Sequence, residues 1–349
     1  MLRKSKSLIG LDIGSHSVKA VEIENRGGHY EITGFGQTGV VDEETRGQAV
    51  SNLIRRCGFR TRRAAVAVSG KAVIVRYLSM VRMSDEELEK AIEFEADKYI
   101  PFNISDVVLD CMRLDDAPSG LELDSLSEDK MRVLLVAAKK SLVLDVVNQV
   151  STVGLSPQIV DVNAFAIGNA FELTCDASGD PTRSEKVVAL IDVGARKTNL
   201  NIVRGSTSYF TREVYLGGED FTSTLSKRLG IPVEEAEKLK RTPGEREGEV
   251  EEAMVQILED LGNEILLSFD YFENQFDSSV EEIYFSGGGS RLPFLERAFE
   301  RIFSRPVQTW DPTEGLTISP GNFDEEELKE NAVQLATAIG LASRVRKFE

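Results

Sequence analysis

Histidine, cysteine and basic charge are all scarce in this sequence. Two histidines, His16 and His29, in 349 residues cannot build a histidine-ligated metal centre. Any divalent cation would be held by carboxylates, hydroxyls, water and a bound phosphate. The three cysteines, Cys57, Cys111 and Cys175, are odd in number, far apart and in no CxxC pattern. That usage excludes a disulfide scaffold and points to a reducing cytosol. Lysine and arginine number 41 against 58 acidic residues, a formal charge of −17. Such a surface repels phosphate, which excludes a general nucleic-acid binder and direct adhesion to anionic lipid. No apolar run approaches the ~20 residues that a membrane-spanning helix needs. The opening MLRKSKSLIG is basic and then apolar, but Asp12 interrupts the run and no small-residue cleavage site follows. It reads as the entry to a strand, not as a signal peptide.

What is present is α/β patterning over a length that suggests two or three domains. Leu8 to Ile13 and Val18 to Ile23 alternate like the strands of a hairpin, and Tyr30 to Phe35 adds a third. Gly47 to Cys57 reads as an amphipathic helix, and RRAAVAVSG, from Arg62, as a buried strand. The texture changes after Met83. SDEELEKAIEFEADKYIPF opens on a capping box, Ser84 with Glu87, and carries Leu88, Ala91, Ile92 and Tyr99 at helical spacing. Leu88, Ile92 and Tyr99 read as the core of a small unit. VVLDCMRLDD and MRVLLVAAKK read as paired strands flanking the acidic loop APSGLELDSLSEDK, and helix SLVLDVVNQVSTVG ends at Gly154. QIVDVNAFAIGNAFEL is a strand running into a helix. The pattern restarts at Val187 with VVALIDV, TNLNIVRG and TSYFTREVYLGG, a helix at Glu234 to Lys240, a long one at about Glu249 to Phe276, and the strand EEIYFSGGG. The final NAVQLATAIGLASRV is a helix of small residues suited to close packing.

Two turns share one chemistry. In IGLDIGSHSVKAVEIE, Asp12 is followed by Gly14, Ser15, His16 and Ser17, with Lys19 one strand on. In VALIDVGARKTNLNIV, Asp192 and Gly194 stand in the same relation, 180 residues later, with Thr198. Such turns expose backbone N–H groups and hydroxyls to phosphate oxygens, while glycine lets the backbone approach closely. The aspartates would repel phosphate directly and so suit a cation, Mg²⁺, held through water. Lys19 supplies compensating positive charge. FSGGGSRLPFLERAF adds a third element, with Gly287, Gly288, Gly289 and Ser290 between a strand and a helix. Each turn alone is equally an ordinary connector. None fits GxGxxG or GxxxxGKS, which sets aside a dinucleotide fold and a Walker ATPase.

In order, LDIGSHSVK, IVDVNAFAIG, LIDVGARKTNL, YFSGGGSRL and AVQLATAIGLA resemble the phosphate 1, connect 1, phosphate 2, adenosine and connect 2 motifs of the actin-like ATPase superfamily. More narrowly, GSHSVKAVE, the unit after Met83 and REVYLGGEDFT resemble the PilM family of type IV pilus assembly, itself related to FtsA. The resemblance implies an actin-like (RNase H-like) two-lobed α/β fold with an inserted small α+β domain of FtsA type. The first lobe is then expected over 1–78, completed by 157–180 and a C-terminal helix at 328–349. The insert is expected over 79–156 and the second lobe, with the adenosine motif, over 181–327.

Membership implies ATP with Mg²⁺ between the lobes and capture of the N-terminal cytoplasmic tail of PilN. It also implies contact with other pilus platform or motor proteins, and a location at the inner membrane through a partner; a homo-oligomer stays open. Position by position, Asp12, Gly14, Ser15, Ser17 and Lys19 match the first phosphate loop, and Asp192, Gly194 and Thr198 the second. Gly287, Gly288, Ser290 and Arg291 match the adenosine loop, and Gly217, Gly218 and Asp220 an interlobe turn. AEKLKR resembles a helix that packs on the nucleoside, pointing to Glu237 and Lys240; the plain alternative is a solvated charged helix. Asp12 and Asp192 are the metal candidates, and Asp161 in connect 1 is the candidate for positioning water. Val162 replaces the usual proline after that acid, and His16 and Arg196 replace the third glycine of each phosphate loop. Slow or absent hydrolysis is the expectation. The peptide groove is expected at the insert and its border with the first lobe. The run RRCGFRTRR, with Arg55, Arg56, Arg60, Arg62 and Arg63, reads as a solvated helix end and strand entry. SRVRKFE is too short and polar for the amphipathic membrane helix of FtsA, which favours PilM over an FtsA-like division protein or a secretion-platform relative. A small-molecule kinase of the same superfold would need a further general base, and no such constellation is present. A pure interaction module without nucleotide is the remaining alternative.

Overall fold

The computed structural model describes residues 6–42, 44–114, 129–179 and 181–348. Most of the acidic loop APSGLELDSLSEDK lies outside them. β1 (Lys6–Ile13), β2 (Ser17–Arg26) and β3 (His29–Gly39) form an antiparallel meander. α1 (Arg46–Cys57) returns the chain so that β4 (Arg63–Val68) runs parallel to β1. β5 (Val73–Val81), α2 (Asp85–Ala96), β6 (Val107–Arg113) and β7 (Lys130–Lys139) build a separate three-stranded sheet in the order β5-β7-β6. α3 (Lys140–Thr152), β8 (Ser156–Val162) and α4 (Asn163–Ser178) lead back; β8 pairs with β4.

After α5 (Pro181–Glu185), the second sheet takes β9 (Val187–Val193), β10 (Thr198–Arg204) and β11 (Thr207–Val214). It is covered by α6 (Gly218–Leu229), α7 (Val233–Arg241) and α8 (Glu247–Phe276), and completed by β12 (Glu282–Ser286), α9 (Leu295–Phe303) and β13 (Val307–Thr309) in the order β11-β10-β9-β12-β13. β14 (Thr317–Ile318) joins the edge of the first sheet; α10 (Glu325–Glu330) and α11 (Ala336–Ala342) follow.

Strand alternation decides which residues face what. Ile9 and Leu11 pack with α1 and α3, whereas Leu8 faces α4 and α11. In β9, Val187, Ala189, Ile191 and Val193 pack with α6 and α8, whereas Val188 and Leu190 face α4. The two sheets therefore sandwich α4 and α11, and Asp12 and Asp192 fall on the inward faces. The helices fit because they carry small residues. A Cβ on Gly340 would lie 1.7 Å from the Ala166 carbonyl oxygen, and one on Gly10 would lie 1.8 Å from that of Ala338. Backbone thus rests on backbone from β1 through α11 to α4.

Two boundaries differ from expectation. β5 starts at Val73 and pairs with β7 throughout, so the small unit begins before residue 79. Its apolar run continues that of β4, and only Gly70, at φ 94°, marks the break. α3 was expected in the small unit. Instead Val146, Val150 and Val153 turn toward the first lobe's core beneath β1 and β4. Leu88 and Ile92 do form the small unit's core, but Tyr99 is 39% exposed.

The small unit is bonded to the second lobe. Tyr77 Oη donates to Ser208 Oγ at 2.9 Å, because that hydroxyl spends its own proton on Asn201 Oδ1 at 2.6 Å. Asn201 Nδ2 in turn donates to the Ala164 carbonyl at 2.8 Å. Burial pushes the Tyr77 phenol well above its ordinary pKa, keeping it a donor. The Arg132 guanidinium lies 4.3 Å from the Phe276 ring centre.

Gly340→Ala is expected to destabilise the protein by roughly 2–4 kcal/mol, since neither backbone can retreat. Gly248→Ala, at an α8 position with nothing within 4 Å, should be neutral or mildly stabilising. Urea denaturation of both variants checks the contrast.

Candidate functional site

The two aspartates converge on one lysine. Asp12 and Lys19 are directly opposed in the β1–β2 ladder, and Lys19 Nζ reaches Asp12 Oδ2 at 2.8 Å. Burial disfavours the Lys19 charge, but Asp12, by charge and hydrogen bond, and Asp192, by charge, together raise its pKa above the ordinary value. Asp192 is pushed the other way for a carboxylate. Burial raises its pKa most and Asp12 adds repulsion, against relief from Lys19, Ser286 and Asn199. Carboxylates from hairpins 180 residues apart thus act on each other across the cleft.

The hairpins repeat atom for atom at their turns. Gly14 N donates to the Ser17 carbonyl at 3.0 Å, and Gly194 N to the Lys197 carbonyl at 2.9 Å. Asp192 opposes Asn199 as Asp12 opposes Lys19. The second turn is clamped to the start of α6: Gly218 N and Glu219 N donate to the Gly194 and Ala195 carbonyls. A Cβ on Gly217 would lie 2.7 Å from each of those oxygens. Gly287, at φ 88°, abuts the same turn; a Cβ there would meet the Val193 carbonyl at 2.5 Å and Asp192 Oδ1 at 2.8 Å. Its N–H donates to the Val333 carbonyl at 2.7 Å, tying the Gly-rich turn to the segment before α11. Ser286 Oγ donates to Asp192 Oδ1 at 3.0 Å.

Several expected ligands are held elsewhere. Thr198 is buried and donates to the Leu216 carbonyl at 2.8 Å. Asp220 accepts from Gly217 N at 2.9 Å as the cap of α6, and Ser290 Oγ donates to the Gly287 carbonyl at 2.7 Å. Arg291 reaches Asn331 at 3.2 Å. Glu237 and Lys240 are not a solvated pair. Lys240 is 7% exposed and donates to Glu237 Oε2 at 2.5 Å, Thr222 Oγ1 at 2.6 Å and the Gly218 carbonyl at 2.9 Å. Ser15 and Ser17 are half-buried in the first turn, and His16 is exposed at its tip. Asp161 lies in the same row of the first sheet as Asp12, with the small Ala67 between, if the β1–β4 and β4–β8 registers are continued by one residue. Its carboxylate accepts from Val162 N at 2.8 Å and Asn169 Nδ2 at 3.2 Å, and pairs with Arg344 at 3.5 Å. It is absent from the charges that shift Lys19 and Asp192. In the basic run, Arg56 donates to the Gln37 carbonyl and Arg60 to Glu24, contacts within the protein.

Asn199 is the residue that motif reading missed. It is 2% exposed, and its Oδ1 is buried without a hydrogen-bond partner. The repeat itself was the signal, because Asn199 stands where Lys19 stands in the first hairpin. Asn199 donates to Asp192 and keeps this carbonyl oxygen unfilled beside it in the same side chain. With the carboxylates of Asp12 and Asp192, that is donor chemistry suited to a hard, mostly hydrated cation such as Mg²⁺. Among the described residues no cluster of three histidine, cysteine or acidic side chains offers a rival metal site.

The pKa directions set stability. Asp192 binds its proton more tightly in the folded state, so its charge opposes folding above the ordinary carboxylate range; that penalty fades in acid. Lys19, raised above 10.5, supports folding until the pH climbs past that value. Asp192→Asn is therefore expected to stabilise the unliganded protein at neutral pH, with no gain in acid. Lys19→Met, which leaves two carboxylates unbalanced, should cost about 3 kcal/mol. Thermal melts across pH in the presence of chelator check both.

A family model described as type IV pilus assembly protein PilM matches residues 10–346. The cell division protein FtsA of Bacillus subtilis is 23% identical over 267 residues, 70% of this chain and 59% of FtsA, so the chain spans little more than half the length of that relative. A solved PilM-PilN type IV pilus biogenesis complex contains a chain 28% identical, with TM-score 0.80, covering 97% of this chain and 98% of that one. MreB5 of Spiroplasma citri bound to AMPPNP shares the fold at TM-score 0.54 and 10% identity, over 99% of this chain and 98% of its own. The fold is the actin-like two-lobed α/β fold, and among the described residues no helix is long and apolar enough to cross a membrane. With the family model covering nearly its whole length, this chain belongs to the PilM family of type IV pilus assembly proteins.

Proposed function

We propose that this chain binds Mg-ATP between its lobes and serves as a cytoplasmic, nucleotide-gated adaptor of the pilus platform, capturing the N-terminal tail of PilN. The convergence of Asp12, Lys19 and Asp192 carries the nucleotide assignment. Asp12, Asp192 and Asn199 would hold the hydrated cation, and Lys19 would face phosphate. Mg²⁺ would supply neutralisation of phosphate charge. Gly14, Gly194, Gly217 and Gly287 let the turns that would face phosphate and nucleoside close on neighbouring backbone, where a Cβ would collide with it. Asp161 is the proposed positioner of water. Its engagement by Arg344 and Asn169 supports slow turnover, because a carboxylate already paired is a weaker acceptor for a water proton.

Membership in the family and likeness to the chain of the PilM-PilN complex support the PilN assignment. A peptide-sized cleft of about 730 Å³ lies where the small unit meets the start of α3, lined by Ile100, Phe102, Asn103, Asp106, Lys139 and Lys140. Lys139 Nζ stands 4.4 Å from the Phe102 ring centre, and Lys140 Nζ donates to the Ser105 carbonyl at 2.7 Å. An extended tail with an apolar residue beside backbone carbonyls would fit it. PilN capture would place the chain at the inner membrane.

In calorimetry with Mg-ATP, Asp12→Asn and Asp192→Asn should each weaken affinity at least about tenfold. Affinity unchanged in both would refute the nucleotide assignment. Fluorescence anisotropy with a labelled PilN tail should show Phe102→Asp weakening capture by about tenfold or more; equal capture by both proteins would move the peptide elsewhere.

A further inference from the structure

Arg196 occupies the tip of the second hairpin, where close-packed glycine was expected and where the first hairpin carries His16. The backbone beneath it is immobilised. Gly194 N closes the turn on the Lys197 carbonyl, and the Gly194 and Ala195 carbonyls are held by Gly218 N and Glu219 N. Any response at this tip is therefore confined to the side chain.

The cations around the cleft differ in how they are held. Lys19 is paired with Asp12 at 2.8 Å, Lys197 with Glu213 at 2.8 Å, and Lys240 lies in its buried network with Glu237 and Thr222. Arg196 Nε contacts both oxygens of Glu219 at 3.1 Å, with the two side chains 59% and 49% exposed. A half-exposed pair of this kind is weak and readily exchanged. A guanidinium gains more from a doubly charged phosphate group, which it grips with two parallel bonds, than from one hydrated carboxylate. Glu219, in the first turn of α6, offers a resting position beside the phosphate turn.

We propose that Arg196 is a sensor of the terminal phosphate: it leaves Glu219 for the γ-phosphate of a bound nucleoside triphosphate and so discriminates triphosphate from diphosphate. This rests on the nucleotide assignment above. Glu219 competes with the nucleotide for the same guanidinium, and the exchange frees the N-terminal turn of α6 from a charged strap. Diphosphate, one phosphate shorter, leaves the strap closed.

The test is calorimetry with Mg²⁺ and either AMPPNP or ADP, on the full chain and three variants, with melting curves to confirm folding. Arg196→Ala should lose about tenfold in AMPPNP affinity and less than about twofold in ADP affinity. Arg196→Lys, which keeps charge but not the fork, should fall between the wild type and the alanine variant for AMPPNP. Glu219→Gln should bind AMPPNP a few-fold more tightly. Equal loss of both nucleotides in Arg196→Ala, no loss of either, or an unaltered Glu219→Gln overturns the proposal while leaving the nucleotide assignment standing. A wild-type chain that binds neither nucleotide removes both.

Discussion

Direct backbone contact between α4, α11 and β1 is the constraint on which the molecule depends. Gly340 lets α11 settle on Ala166, and Gly10 lets it settle on the first sheet. Close approach of this kind leaves no slack between the first sheet, α11 and α4, while the second sheet meets α4 through side chains such as Val188 and Leu190. Because β1 and β9 each turn alternate residues toward that sandwich, their terminal aspartates emerge on facing surfaces just beyond the helices. The meeting of Asp12 and Asp192 is a by-product of strand parity and small-residue packing.

The Asp192 charge so placed does not serve stability. A buried Asp192 beside Asp12, balanced chiefly by Lys19, is an arrangement that folding alone would not select. The unsatisfied Asn199 carbonyl oxygen has the same character. Both make sense where a hydrated cation and an anion complete the site. Around them, Gly217, Gly218 and Gly287 interlock with the second hairpin so tightly that the floor of the cleft is preorganised.

Much of this was legible in the sequence, for identifiable reasons. The alternation of LIGLDI and VVALIDV revealed the strands, and the repeat of Asp-x-Gly revealed paired hairpins. The Ser84–Glu87 capping box was visible and is present. What escaped was decided by tertiary partners. β5 continues the apolar texture of β4 across a single glycine, so nothing local announces a different sheet. α3 is amphipathic in either environment, and only the packing of Val146, Val150 and Val153 reveals its side. Thr198 and Ser290 have the right chemistry for phosphate and Asp220 for a cation, yet each hydroxyl or carboxylate is engaged by a nearby backbone group. Motif spacing reports which residues are near a site and says little about where their lone pairs point.

The three-stranded unit is spliced into the first lobe but fastened to the second. Gly70 N donates to Glu213 at 2.9 Å, and Tyr77 reaches Ser208 at 2.9 Å, while the chain re-enters the first lobe through Lys139 and Lys140. A swing of one half against the other would drag the unit with its host by bonding and not with its host by sequence. The splice points at Gly70 and Lys140 then become pivots, and the gap beside Phe102 becomes the far end of a lever whose short arm is the cleft shared by Asp12, Lys19 and Asp192.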